Sequence, residues 1–135
     1  MKIILFIERD KDIRDFMADY VQMYLAENFH VRVVSDLDEA DQILRRETFD
    51  GVIFDALEPS PRDILDFIRR ARHRDYQLPM VALVGYHDMI LNPMLKETLQ
   101  KIRVSIIDKV NAFKNENIPR LLQDSCERGF GEELV

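Results

Sequence analysis

The sequence is short of the residues that staple small proteins and of those that carry most covalent chemistry. It has a single cysteine, Cys126, in 135 residues, which rules out an intrachain disulfide and fits a reducing compartment. Four glycines are too few for a phosphate-cradling loop, and no G-x-S-x-G, P-loop or G-x-G-x-x-G is present. The three histidines, His30, His73 and His87, show no ligand spacing, which argues against a zinc site. No apolar run approaches the roughly 18 residues of a membrane span, and the first one begins too soon after Met1 for a signal peptide. The expectation is therefore a cytoplasmic protein with no membrane contact. A net charge of −6 argues against a direct nucleic-acid surface, since phosphate binding needs clustered Lys and Arg. The one dense basic cluster, Arg69 to Arg74, falls at a predicted helix end, where cations complement the helix dipole.

What is present describes a soluble globular domain, with 47% hydrophobic and 33% charged residues. At this length one domain buries a core without staples. The central feature is Gly51-Val52-Ile53-Phe54, a short apolar run ending in Asp55. Such a run marks a strand buried on both faces, as in a parallel sheet covered by helices. Ile3 to Ile7 ends the same way, in Glu8-Arg9-Asp10. Three further strands are predicted at Val31–Val34, Met80–Val84 and Val104–Ile107, the last running into Asp108-Lys109.

Helical spacing fills the intervals. Asp12 is a plausible N-cap for Ile13, Phe16, Met17, Tyr20 and Tyr24, a helix reaching about Glu27. Ser35 or Asp36 caps a second helix carrying Leu37, Ala40, Ile43 and Leu44. Pro61 opens a third, with Ile64, Leu65, Ile68 and Ala71 inward. Leu91, Leu95, Leu99 and Ile102 stripe a fourth, and a last helix is predicted over about 119–128, after a polar stretch at 111–117.

The result is an α/β fold, a flavodoxin-like (βα)5 three-layer sandwich on a parallel five-stranded sheet in the order 2-1-3-4-5. Strands one and three are then neighbours, and Glu8, Arg9, Asp10 and Asp55 converge at their carboxyl ends, with Lys109 arriving from strand five. Open α/β sheets bind their ligands at this edge.

These residues resemble the receiver domain of two-component response regulators. The likeness runs from about Lys2 to Arg128 and rests on Glu8-Arg9-Asp10, Phe54-Asp55-Ala56-Leu57-Glu58-Pro59 and Ile107-Asp108-Lys109 in that order. It implies a receiver-like domain over 1–128 and a C-terminal tail over 129–135. It also implies that Asp55 is the phosphoacceptor, that Lys109 contacts the phosphate, and that Glu8, Asp10, Asp55 and the Leu57 carbonyl form the acidic pocket that holds Mg²⁺ in the family. The implied partners are a histidine kinase, a phosphotransfer protein or another signalling protein. Pairing of two copies through the fourth and fifth helices and fifth strand is a further possibility raised by the family. No enzymatic activity of its own is implied.

The sequence departs from the family at the site itself. Arg9 stands where the family keeps a second acid, Val84 where it keeps a Thr or Ser, Ile106 where it keeps an aromatic switch residue, and Val110 where it keeps a proline. Three carboxylates and a lysine would carry −2, whereas Glu8, Asp55, Arg9 and Lys109 cancel to zero, or −1 with Asp10 included. The pull on Mg²⁺ is weakened accordingly. Arg9 is expected either to lie across Asp55 as a built-in cation or to grip a phosphoryl group bidentately. Three readings stay open: a receiver phosphorylated on Asp55 in a phosphorelay, a phosphorylation-independent pseudo-receiver acting as a protein-interaction module, and, more distantly, a flavodoxin-like binding protein or small enzyme.

Overall fold

A computed structural model describes residues 1–25, 27–85 and 92–109. Its strands are β1 (Lys2–Ile7), β2 (Phe29–Val34), β3 (Gly51–Asp55), β4 (Met80–Val84) and β5 (Ser105–Asp108). Its α-helices are α1 (Lys11–Tyr20), α2 (Leu37–Arg46), α3 (Pro61–Arg74) and α4 (Pro93–Lys101). All strand pairs are parallel, in the order β2-β1-β3-β4-β5. The architecture and strand order expected from the sequence are therefore found.

Successive residues of each central strand go to opposite faces, and both faces are covered. Ile4, Phe6, Ile53, Val81 and Leu83 pack with Met17 and Tyr20 of α1. Leu5, Ile7, Val52, Phe54, Ala82 and Val84 pack with residues of α2, α3 and α4 on the other side. This two-sided burial is why the strands read as unbroken apolar runs rather than as alternating ones. Phe67 of α3 is fully buried and meets Phe54 edge-on, with ring centroids 6.2 Å apart. Such a pair is worth about 1 kcal/mol beyond its buried area.

The helix starts follow from short polar side chains. Asp36 caps α2 through the Glu39 N–H at 2.8 Å, and Ser60 caps α3 through Asp63 N–H, with Pro61 in the first turn. Asn92 caps α4 ahead of Pro93. Each satisfies a backbone donor that the helix itself leaves unpaired.

Three boundary expectations are corrected. Asp10, not Asp12, caps α1, because its carboxylate accepts from the N–H groups of Asp12 and Ile13. The first helix also does not continue as α-helix to Glu27: a π-helical turn spans Val21–Leu25. The wider turn rotates its residues about the helix axis. Tyr24, placed inward by 3.6-residue spacing, lies exposed with its ring 5.0 Å from that of Tyr20. Ile13 and Phe16 ahead of the turn are exposed as well, so Met17 and Tyr20 are the buried members of the expected stripe. Finally, β2 starts at Phe29 rather than Val31, where Phe29 is buried opposite Lys2 of β1. Leu91, His87, Val110, Cys126, the polar stretch, the last helix and the tail lie outside the described residues.

The basic end of α3 has a structural use. The guanidinium of Arg72 is buried and donates to the carbonyls of Leu78, at 3.3 Å, and Arg103, at 2.8 Å. It ties α3 to the approach to β4 and to the turn before β5. That turn closes α4 with Arg103 at φ 60, Val104 N–H on Leu99 O and Arg103 N–H on Gln100 O, a double-bonded helix ending that usually carries glycine. Burial, then the neighbouring charge of Arg103, lowers the pKa of Arg72 to about 10. Arg70 binds Asp41 of α2 at 2.9 Å.

Candidate functional site

Strand order brings the ends of β1, β3 and β5 to one edge. The backbone places them firmly: Glu8 N–H donates to Val34 O at 2.9 Å, and Ala56 N–H to Leu83 O at 3.0 Å. Asp55, the last residue of β3, is 7% exposed, and Glu8, just past β1, is 9% exposed. Lys109 follows β5 directly, and its ammonium contacts Asp55 Oδ2. The other oxygen, Oδ1, accepts from Leu57 N–H at 2.8 Å. That local bond between a carboxylate and the backbone two residues on fixes the orientation of Asp55.

Glu8 Oε1 accepts from Asp10 N–H at 3.2 Å. Burial raises the Glu8 pKa above the usual carboxylate range. The Asp10 N–H opposes this, the charges of Asp55 and Asp10 add to the rise, and Lys109 offsets part of it. For Lys109, burial alone would lower the pKa. The hydrogen bond and charge of Asp55, helped by Glu8 and Glu58, outweigh that and leave it raised. The facing acids thus keep the lysine in its charged form.

Arg9 does not take the position expected from the sequence. Its guanidinium donates to Glu58 Oε2 at 2.9 Å rather than lying across Asp55, and both side chains are exposed. The cause is geometric: β1 and β3 are adjacent, so the loops after them face each other and bring Glu58 within reach of Arg9. Arg14 of α1 holds the same loop by donating to the carbonyls of Glu8 and Arg9 at 3.0 and 2.9 Å. The sequence alone flags neither Glu58 nor Arg14 as a site residue. Glu58 becomes readable once the strand order is known, whereas nothing local marks Arg14. Val84 is buried at the end of β4, and Ile106 of β5 packs half-buried against the same core.

Beside Asp55 opens a cleft of about 440 Å³. Its lining includes Glu8, Arg9, Asp36, Asp55, Glu58 and Pro59. The Mg²⁺ set of the resembled family is incomplete here. Asp10 commits its carboxylate to the α1 cap, and Asp55 is engaged by Lys109 and Leu57. Among the described residues no three His, Cys, Asp or Glu side chains gather to hold a metal ion. Mg²⁺ completes its shell with water but needs at least one or two uncommitted carboxylates. With Asp10 given to the helix cap and both oxygens of Asp55 engaged, the residues do not fit the ion.

Comparison with known proteins agrees with this architecture. No family model and no curated protein matches the chain. Among solved structures, it is similar to a response regulator receiver domain protein from Clostridium thermocellum, with TM-score 0.75, 16% identity, and 95% of this chain and 96% of that one covered. A CheY-like receiver domain protein from Methanospirillum hungatei gives 0.74 at 17% identity, covering 96% and 99%. The receiver domain of NtrC4 from Aquifex aeolicus gives 0.71 at 16%, covering 94% and 98%. The chain has the fold of response-regulator receiver domains.

Proposed function

We propose that the chain is a receiver-type signalling domain in a phosphorelay, with Asp55 as the phosphoacceptor and output through protein contacts. The observation that carries this reading is the Lys109 ammonium on the Asp55 carboxylate at the carboxyl edge of the sheet. In the step envisaged, a carboxylate oxygen of Asp55 forms a bond to phosphorus while the bond from phosphorus to the donor's leaving group breaks. The electron pair of that bond leaves with the donor. The lysine shifts from the carboxylate to the phosphoryl oxygens, where a positioned cation counters the charge of the transferring group. Arg9 is held only by an exposed ion pair of the kind worth about 0–1 kcal/mol, so it is free to exchange Glu58 for a phosphoryl oxygen. The donor would be a histidine kinase or a phosphotransfer protein.

Val84 favours a second reading. A buried valine at the end of β4 offers no hydroxyl to a phosphoryl group, and half-buried Ile106 offers no aromatic ring to swing. A domain that takes phosphate without moving these groups would serve as a pseudo-receiver, a protein-interaction module whose surface does not report the state of Asp55.

The test is intact mass after incubation with a small phosphodonor, for the parent and Asp55→Asn. One phosphoryl adduct in the parent and none in the variant supports the first reading. No adduct in either sinks it and leaves the second.

A further inference from the structure

The cation at this site is already part of the chain. Lys109 contacts one oxygen of Asp55, Leu57 N–H occupies the other, and Glu8 Oε1 is held by Asp10 N–H. Asp10, the remaining acid of the loop, is turned outward to cap α1. Arg9 and Glu58 neutralise each other across the mouth of the cleft. Glu8, Asp55 and Lys109 together leave a formal charge of only −1.

We infer that the Asp55 site is closed to divalent metal, with the Lys109 ammonium as the resting counter-cation of Asp55 and Arg9 as the residue that fixes this choice. A divalent ion entering here meets Asp55 already paired with Lys109, Glu58 already paired with Arg9, and Glu8 with one oxygen hydrogen-bonded. Asp36, Asp63 and Asp66 of the wider cleft are engaged by Glu39 N–H, Ser60 Oγ and Arg69. Mg²⁺ gives up its water reluctantly, and oxygens already hydrogen-bonded or ion-paired do not compensate that loss. Arg9 decides the matter because it sits at the mouth of the cleft that the acids line. An acid at that position would supply the third carboxylate and release Glu58 as well. The site therefore responds to its donor or binding partner, and the concentration of free Mg²⁺ does not gate it. This inference concerns the same site as the proposed function, but it holds whether or not Asp55 accepts a phosphoryl group.

The experiment uses the full chain and Mn²⁺ as the probe, read as loss of the free-ion EPR signal, with Mg²⁺ titrated by calorimetry in parallel. The parent is expected to leave the Mn²⁺ signal unchanged and to give no heat with Mg²⁺. Arg9→Asp is expected to gain Mn²⁺ affinity on the order of a hundredfold, because it removes a cation from the mouth of the cleft, adds a carboxylate there and frees Glu58. Arg9→Ser, which removes the cation without adding an acid, should fall between, and circular dichroism confirms that each variant is folded. Metal binding by the parent that Asp55→Asn abolishes overturns the inference. So does a folded Arg9→Asp protein as silent as the parent. A phosphoryl adduct formed without divalent metal supports both this inference and the receiver reading. Absence of any adduct sinks only the receiver reading.

Discussion

Two cations sit at opposite ends of the same sheet, and they are held in opposite ways. Arg72, buried at the end of α3, is held by two backbone carbonyls, those of Leu78 and Arg103. Lys109, half-buried after β5, is held by the carboxylate of Asp55 beside an open cleft. Burial dominates at Arg72 and its pKa falls to about 10; at Lys109 the facing acids outweigh burial and its pKa rises. Carbonyl dipoles fix a cation in one geometry and make it a rivet. A carboxylate partner leaves a cation that can be handed to another anion, which suits the second end to the function proposed for it.

The contrast is broken most strongly at the rivet. Arg72→Met should destabilise by about 3 kcal/mol, since it strands two carbonyls that are hydrogen-bonded to a charged group, and urea unfolding measures it. A loss below about 1 kcal/mol would place Arg72 in the ordinary surface class.

Lys109→Met should cost about 1 kcal/mol at neutral pH, discounted because the lysine side chain is 44% exposed. Its pH trend is the sharper signature. A lysine with a raised folded pKa contributes its stability below the unfolded value of 10.5 and loses it as pH rises through the folded value. For Arg72 the folded pKa is lowered, so its buried charge costs stability that is recovered as pH rises through about 10. Unfolding at rising alkaline pH should therefore narrow the gap between Lys109→Met and the parent and widen the gap for Arg72→Met. Parallel trends would erase the distinction between the two ends.

Glu8 tests the acid side. Its folded pKa is raised above 4.5, so the folded state favours the protonated form, and ionisation at neutral pH costs stability. Glu8→Gln should raise the melting temperature at pH 7, with the gain shrinking as the pH falls toward the unfolded value. A fall in melting temperature at pH 7 would mean that the ionised carboxylate is needed. The smallest effect is expected at Arg9→Ala, within about 0.5 kcal/mol by urea unfolding, because its ion pair is exposed.

Most of the sheet is legible in the chain because two-sided burial writes itself as short apolar runs, and the run ending in Asp55 is β3 residue for residue. The pairing of Asp55 with Lys109 follows from strand order alone. The loop after β1 is harder, because capping competes with pocket formation for the same acid. Asp10 and Asp12 are both plausible caps by composition, and only the backbone geometry sends Asp10 to the helix and removes it from the pocket. Charge counting directs Arg9 toward Asp55, yet a long side chain reaches several acids, and Glu58 meets it at the loop surface. Phe67 is hidden beside the more regular Ile64 and Ile68 stripe, although it is buried with them. The basic run at the end of α3 reads as a dipole complement, and the deep hydrogen bonds of Arg72 to two distant carbonyls have no local signature.

Whether Lys109 and Asp55 form a self-contained pair is decided by the ¹⁵N resonance of the lysine ammonium. The expected signal is protected from exchange near neutral pH, lost in Asp55→Asn and unmoved by Mg²⁺. A signal that survives Asp55→Asn, or one that Mg²⁺ displaces, would show that the lysine is held by something other than this carboxylate or shares it with a metal.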